Sequence, residues 1–277
     1  MFKAWIVVVL LAGAVGCVST TQALVASEQP ATIALSQQYT LTSKATGRTY
    51  VVQVSAPLEP PAPGEKAAAV YVMDGNWYFG IATDTARMLA IGGGMTPTYI
   101  VAVGYSDPTH KSVVANRETD LAHVRFTGPE GSVGGGGAAF ADFLTEQLKP
   151  FVEARYPVDP AQAYLAGQSL GGLFATNVLL KAPDSFQGYL IGSPSLWADP
   201  SVLPAAATFS AGGGKHVFIG VGGNESSGMR AGAAALAKAL SAPSTGLNVV
   251  HREFADLMHQ SMQGSWFAKG LSNLLDR

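Results

Sequence analysis

Short, uninterrupted apolar runs alternate with helical stretches along this chain, and this alternation constrains its fold more than any other feature. Each run has the length and composition of a β-strand, and several are apolar enough to be buried on both faces of a sheet. Strands that alternate with helices of about 10–15 residues predict βαβ units. We therefore expect an α/β fold, with a mostly parallel central sheet and helices on both faces. The predicted strands are TYVVQVSAP (49–57), AAAVYVMDG (67–75), TYIVAVGYS (98–106), AQAYLAG (161–167), FQGYLIGSPS (186–195), HVFIGVGG (216–223) and LNVVHREF (247–254).

Two stretches interrupt this pattern without dividing the chain. Residues 107–137 are polar and rich in glycine, and they predict an excursion on the surface rather than a linker between domains. Residues 138–156 have apolar side chains near helical spacing, but Pro150 predicts a kink or a fresh start within this helix. Because no repeat or break in composition is visible, we expect residues 27–277 to form a single domain.

The composition excludes some classes of partner. The 277 residues are 48% hydrophobic and only 13% charged, and the formal net charge is −2. A hydrophobic fraction of this size supports a substantial core. A nearly neutral balance offers no basic surface for nucleic acid, so we expect none as a partner.

The N-terminal segment has the features of an export signal. Lys3 is followed by an apolar run of ~12 residues, which is shorter than the ~20 that a membrane-spanning helix needs. We interpret residues 1–26 as a signal peptide, and we expect export to a bacterial periplasm or outer membrane. The stretch before Cys17, the only cysteine, is similar to a bacterial lipobox, so a lipid on Cys17 would be the one membrane attachment. Ordinary cleavage near Ala23 or Ala26 is the alternative.

The sequence GQSLG (167–171) follows a predicted strand and precedes a predicted helix. In this setting, G-x-S-x-G is typical of a nucleophile elbow, a tight turn that exposes a serine hydroxyl at the carboxyl edge of a sheet. The flanking glycines allow strand and helix to approach closely. The sequence therefore predicts Ser169 as a nucleophile and the N–H of Leu170 as a donor to an oxyanion.

A nucleophilic serine needs a histidine base and an acid that orients the base. Of the five histidines, His259 follows the last predicted strand, which is where this fold class has its base. Glu225, after the strand HVFIGVGG, is the best candidate for the acid. Asp256 and Asp199 are competitors that the sequence leaves open.

Six motifs occur in one order along the chain, and together they resemble the putative-esterase family of α/β-hydrolases. This family includes esterase D and the esterases of trilactone siderophores, and the second group is the closer match. The resemblance covers about residues 36–277. The motifs are VYVMDGNWYF (70–79), YIVAVGYS (99–106), RETDL (117–121), GQSLGGLFA (167–175), GSPSLW (192–197) and MHQSM (258–262).

The resemblance implies an α/β-hydrolase fold and the hydrolysis of carboxylic esters, with Ser169 as nucleophile and His259 as base. It also implies that Gly75 or Asn76, in the turn after Asp74, supplies a second oxyanion donor. Arg117 and Asp120 match an Arg-x-x-Asp pattern of the family, which would be a buried ion pair or a clamp on the substrate. One departure is Gln168, which stands where relatives often carry histidine.

The expected function is that of a serine esterase acting on a small-molecule ester, with a siderophore trilactone as one candidate substrate. No cofactor or metal is expected, because no cluster of His, Cys and carboxylates has zinc spacing. An acyltransferase or a non-catalytic binding protein on the same fold are the alternatives. The aromatic residues Trp77, Tyr78, Tyr105 and Trp197 are candidates for lining the substrate pocket, with core packing as the alternative for each.

Overall fold

The computed structural model describes residues 31–91, 93–128, 131–210 and 213–275. The predicted signal peptide, including Cys17, lies outside the described residues, as does the predicted domain boundary at residue 27. Residues from Ile33 onward form one compact unit. Within the described ranges, no helix is both long and apolar enough to cross a membrane.

Ten strands and eight α-helices make up the described chain. The strands are β1 (Ser36–Thr42), β2 (Thr49–Ser55), β3 (Ala67–Val72), β4 (Thr98–Tyr105), β5 (Arg125–Gly128), β6 (Gly131–Gly134), β7 (Val158–Gln168), β8 (Gly188–Gly192), β9 (His216–Gly222) and β10 (Asn248–Phe254). The helices are α1 (Gly75–Ile91), α2 (His110–Asp120), α3 (Gly137–Asp142), α4 (Lys149–Glu153), α5 (Leu170–Lys181), α6 (Val202–Ala207), α7 (Ser227–Leu240) and α8 (Gln263–Leu275).

Eight strands form one sheet in the order β1-β2-β4-β3-β7-β8-β9-β10. The pairs from β4 to β10 are parallel, and β1 and β2 add an antiparallel edge. Every residue of β3, β4 and β8 is buried, as a sheet covered on both faces requires. Two apolar clusters, one on each face, pack the helices against the sheet. The predicted fold class is confirmed, because the solved structures compared below share this architecture.

One of the two predicted interruptions is more structured than the sequence suggests. The surface excursion at 107–137 contains helix α2 and the small β5–β6 hairpin. Helix α1, which follows Asp74 directly, has no counterpart among the elements expected from the sequence. The predicted irregularity near Pro150 is present, because a π-helical turn (Phe143–Leu148) separates α3 from α4. Proline has no N–H to donate to the preceding turn, which accounts for the break.

Strand β7 and helix α5 approach each other more closely than any side chain would allow. A Cβ atom on Gly167 would overlap the backbone carbonyl of Gly171, the second residue of the helix. The first ten residues of α5, from Leu170 to Leu179, are buried, so the helix cannot move away from the strand. The strand-to-helix turn therefore depends on glycine at position 167.

We expect Gly167→Ala to lower the free energy of unfolding by more than about 2 kcal/mol, because backbone rather than a side chain would have to move. Urea denaturation of the purified protein measures this. Gly94→Ala is the matched control, since a Cβ at Gly94 meets nothing within 4 Å, and we expect a change within about 0.5 kcal/mol. Equal stabilities of the two variants would contradict this account of the turn.

Candidate active site

Ser169 occupies the turn between β7 and α5 in a backbone conformation that non-glycine residues rarely adopt. Its φ is 63°, and its N–H donates to the carbonyl of Gly192 at 2.9 Å. Such strained positions are concentrated at functional sites. The side chain is half-buried and faces a cavity. The N–H of Leu170 has no protein acceptor among the residues that the structure describes, so it is free to bind an oxyanion.

A second turn of the same kind lies on the neighbouring strand. Asp74 follows β3, has a φ of 58° and precedes α1. Gly75 and Asn76 are therefore the first residues of a helix rather than part of a loop, and in the described chain neither N–H has a protein acceptor. The Asn76 side chain is held by the backbone of Tyr105, accepting at 2.7 Å and donating at 3.0 Å. Any oxyanion donor at Asn76 would thus be the backbone N–H.

His259 and Glu225, the predicted base and acid, are hydrogen-bonded to each other. The Nδ1 atom of His259 lies 2.6 Å from Oε2 of Glu225. The other carboxylate oxygen accepts from the Ser193 hydroxyl at 2.5 Å and from the Gly222 N–H at 2.9 Å. Burial by itself would raise the pKa of Glu225, but the hydrogen bonds from His259, Ser193 and Gly222 outweigh it and lower the pKa below the ordinary value.

The other two candidate acids lie elsewhere. Asp256 is exposed and has no hydrogen bond to His259 in this structure. Asp199 is buried, but its carboxylate accepts from Asn177 and from the hydroxyl and N–H of Ser201. The geometry thus brings only Glu225, of the three, to the imidazole ring.

The backbone of His259 is fixed by two side-chain amides. Its carbonyl accepts from Nε2 of Gln168 and from Nε2 of Gln263, each at 2.8 Å. The hydroxyl of Tyr78 donates to the amide oxygen of Gln168 at 2.5 Å. Burial, and then the nearby Asp74 carboxylate, raise the pKa of Tyr78 to about 12, so this phenol keeps its proton. Gln168, the residue before Ser169, therefore links the end of β7 to the loop that carries His259.

Ser169 and His259 border the same cavity, but the structure contains no direct hydrogen bond between these two described side chains. The Ser169 hydroxyl lies 3.3 Å from the hydroxyl of Ser195 instead. Hydrogen bonds of this kind are often long or misaligned in the absence of substrate. Rotation of the serine side chain would bring Oγ from Ser195 towards the imidazole.

The cavity in front of Ser169 has a volume of about 650 Å³. Trp77 forms one wall, with its ring stacked on His110 at 6.0 Å and the Arg117 guanidinium 5.2 Å from its centroid. The lining residues are Trp77, Tyr78, Ile81, His110, Arg117, Gln168, Ser169, His259, Gln260 and Gln263.

Two of the aromatic candidates lie outside this cavity. Tyr105 is buried beside Tyr50. It therefore packs in the core, which was the alternative to a place in the substrate pocket. Trp197 lines a different recess on the other side of Ser169.

Arg117 and Asp120 do not pair with each other, so the expected ion pair between these two residues is wrong. Arg117 makes a two-pronged ion pair with Asp74, through contacts of 2.9 Å each, and both side chains are buried. Burial would lower the pKa of Arg117, but the Asp74 carboxylate outweighs it and raises the pKa. Asp120 is paired with Arg48 and accepts from the Tyr50 hydroxyl at 3.0 Å.

Spacing along the chain does not identify Ser193, Ser195, His110 and Gln263 as site residues. Ser193 and Ser195 belong to the motif GSPSLW, but nothing in their spacing distinguishes a ligand of the acid from a surface serine. Among the described residues, no group of three or more His, Cys, Asp or Glu side chains could hold a metal ion. The absence of a cofactor stays a prediction.

Comparisons with known proteins agree with this architecture. The family described as "Putative esterase" matches residues 43–267. The chain is 35% identical over 173 residues to the ferri-bacillibactin esterase BesA of Bacillus subtilis, which is 59% of this chain and 60% of that protein. It is 38% identical over 181 residues to a siderophore enterobactin esterase of Emericella nidulans, or 59% of each protein.

A solved structure is similar over almost its whole length. The crystal structure of the BES protein from Bacillus cereus has a TM-score of 0.80 at 28% identity, and the match covers 91% of this chain and 99% of that chain. By contrast, the match spans only about three fifths of the length of the curated relatives.

We expect the hydrogen bonds of the Glu225 carboxylate to stabilise the fold in a defined pH range. A carboxyl with a lowered pKa stabilises the folded state above its unfolded pKa, about 4.3, and this contribution is lost as the pH falls through the folded value. The difference in unfolding free energy between the wild type and Glu225→Gln should therefore shrink between pH 5 and pH 3. Urea denaturation over this range measures it. Glu65→Gln, at an exposed position, is the control, and a difference for Glu225→Gln that stays constant with pH would contradict the assignment.

Proposed function

The chain belongs to the putative-esterase family, and on that basis we propose that it is a serine hydrolase that cleaves carboxylic ester bonds. The observation that carries the proposal is the juxtaposition at one sheet edge. Ser169 stands on a strained turn, the His259–Glu225 pair lines the same cavity, and the N–H of Leu170 is free. This combination meets the geometric requirements of a nucleophile, an oriented base and an oxyanion donor.

The proposed reaction has two steps. The Nε2 atom of His259 takes the proton of Ser169 as Oγ attacks the ester carbonyl carbon, and the carbonyl oxygen becomes an oxyanion. The N–H of Leu170, with that of Gly75 or Asn76, stabilises this charge. His259 then protonates the leaving alcohol, and an acyl–serine ester remains. Water attacks this ester with His259 as base, which releases the acid and restores Ser169.

Glu225 holds the imidazole in the required tautomer throughout this cycle. Its lowered pKa keeps the carboxylate ionised at neutral pH, so it accepts from Nδ1–H and leaves Nε2 free for the serine. The carboxylate also stabilises the imidazolium that forms when His259 takes the proton.

The charge of the cavity favours an uncharged ester. Its one guanidinium, that of Arg117, is neutralised by Asp74, and no lysine is among the lining residues. A multiply anionic substrate would find no free cation there. The relatives include esterases named for siderophores, which supports a siderophore-type lactone as substrate; the cavity suits its uncharged form.

Export and any lipid on Cys17 also remain proposals. They are supported only by the sequence of residues 1–26, with its lysine, apolar run and cysteine.

Replacement of Ser169 tests the nucleophile. We expect Ser169→Ala to lower kcat/KM for p-nitrophenyl esters on the order of 10³-fold or more, and to abolish labelling by a fluorophosphonate, because no other group would form the acyl-enzyme. Ser241→Ala, at an exposed helix end, is the matched control and should retain activity. A wild type that neither hydrolyses esters nor reacts with the fluorophosphonate would point instead to a binding protein. Preferential transfer to an added alcohol would point to an acyltransferase.

The acid is tested by comparing two isosteric amides. Glu225→Gln should lower kcat on the order of 10³-fold, because the amide cannot stabilise the imidazolium and favours the wrong tautomer. Asp256→Asn should stay within about twofold of the wild type, since Asp256 is exposed. Steady-state kinetics with one ester decides between them, and a larger loss for Asp256→Asn would reverse the assignment.

A further inference from the structure

Ser169 and His259 border a second recess, across from the cavity that Trp77 lines. It has a volume of about 380 Å³ and is continuous with a neighbouring groove of about 330 Å³ through the shared residues Trp197, Ser226 and Met229. The nucleophile therefore lies between two spaces rather than at the end of one. An ester bound with its carbonyl carbon at Ser169 has room for a substituent on each side.

The largest exposed side chains in the lining of this recess are apolar, and Asn224 and Ser226 add smaller exposed polar groups. Trp197 is 61% exposed and Met258 is 57% exposed, while Met229 is half-buried. Glu225 is the one carboxylate in the lining, and its side chain is only 2% exposed with both oxygens already hydrogen-bonded. Exposed large apolar side chains beside a reactive group are typical of a binding surface.

Trp197 is held in position although most of its surface is exposed. Its ring packs edge-on against Phe126 of the β5–β6 hairpin, with centroids 5.6 Å apart. Leu196, beside it in a short 3₁₀ helix, is buried. The glycine-rich excursion thus supports one wall of the recess. The two methionines opposite are adaptable side chains that fit groups of varied shape.

We propose that Trp197, Met229 and Met258 form a second subsite, which binds an uncharged aromatic or alkyl substituent of the ester. The proposal rests on the proposed function, because it uses Ser169 to place the ester. The size is sufficient, since an apolar cavity of about 150 Å³ already holds benzene. The absence of an available charge in the lining favours such a group over a carboxylate or an ammonium.

Kinetic selectivity tests the subsite. Two pairs of esters are compared, p-nitrophenyl hexanoate against the acetate, and 2-naphthyl acetate against ethyl acetate, so that either side of the ester can carry the bulky group. We expect the wild type to prefer the bulky member in at least one pair, and Trp197→Ala and Met258→Ala to reduce that kcat/KM ratio about tenfold. Phe126→Ala should reduce it in the same direction, because Trp197 loses its support. Met88→Ala, at a 67% exposed methionine on α1, is the matched control and should leave the ratio unchanged.

A binding measurement keeps the proposal independent of turnover. In the Ser169→Ala protein, the Kd for 2-naphthyl acetate, measured by calorimetry, should rise about tenfold when Trp197→Ala is added. Unchanged selectivity and unchanged Kd in an enzyme that still depends on Ser169 would overturn the subsite alone. Loss of the preference in Trp77→Ala instead would place the substituent in the larger cavity and also overturn it. If the Ser169→Ala protein keeps the activity of the wild type, the proposed function is overturned. The Kd for 2-naphthyl acetate would then still test the subsite.

Discussion

The close approach of β7 and α5 is the constraint on which the site depends. Gly167 packs against the carbonyl of Gly171, and Ser169, between strand and helix, has a positive φ of 63°. Ser169 therefore projects from the sheet edge without a loop to support it, and the first N–H of the helix is left for a ligand. The strain at Ser169 is tolerated because a helix whose first ten residues are buried on one side and a parallel sheet on the other hold the turn.

The turn between β3 and α1 has the same arrangement, but the side chain at its centre makes an ion pair. Asp74 also stands at positive φ between a strand and a helix, but its carboxylate is bound by Arg117 from α2. Breaking a buried pair of this kind typically costs about 3–5 kcal/mol, because one charge would be left without a partner. Arg117 thus fixes the start of α1, whose free N–H groups face the same sheet edge as Leu170. It also supports the Trp77 wall through its guanidinium.

The position of His259 depends on a third set of contacts. Glu225 holds the ring of His259, and Gln168 and Gln263 hold its backbone carbonyl. Gln168 is the residue before the nucleophile, so the position of the base is tied directly to the strand that carries Ser169. This tie leaves the imidazole beside the cavity while the serine hydroxyl rests against Ser195.

The sequence by itself determined the parallel sheet, the strand-to-helix turn at Ser169, and the choice of His259 as the candidate base. These features follow from local order along the chain: apolar runs specify strands, glycines specify the turn, and the carboxyl ends of parallel strands meet at one edge. Helix α1, the ion pair of Arg117 with Asp74 rather than Asp120, the core position of Tyr105, and the recess behind Trp197 came only from the tertiary structure. Apart from helix α1, each depends on which segments distant in sequence pack together, and periodicity carries no information about such partners. The selection of Glu225 over Asp256 and Asp199 has the same origin, because three carboxylates of equal chemistry differ only in which one the fold brings to the imidazole.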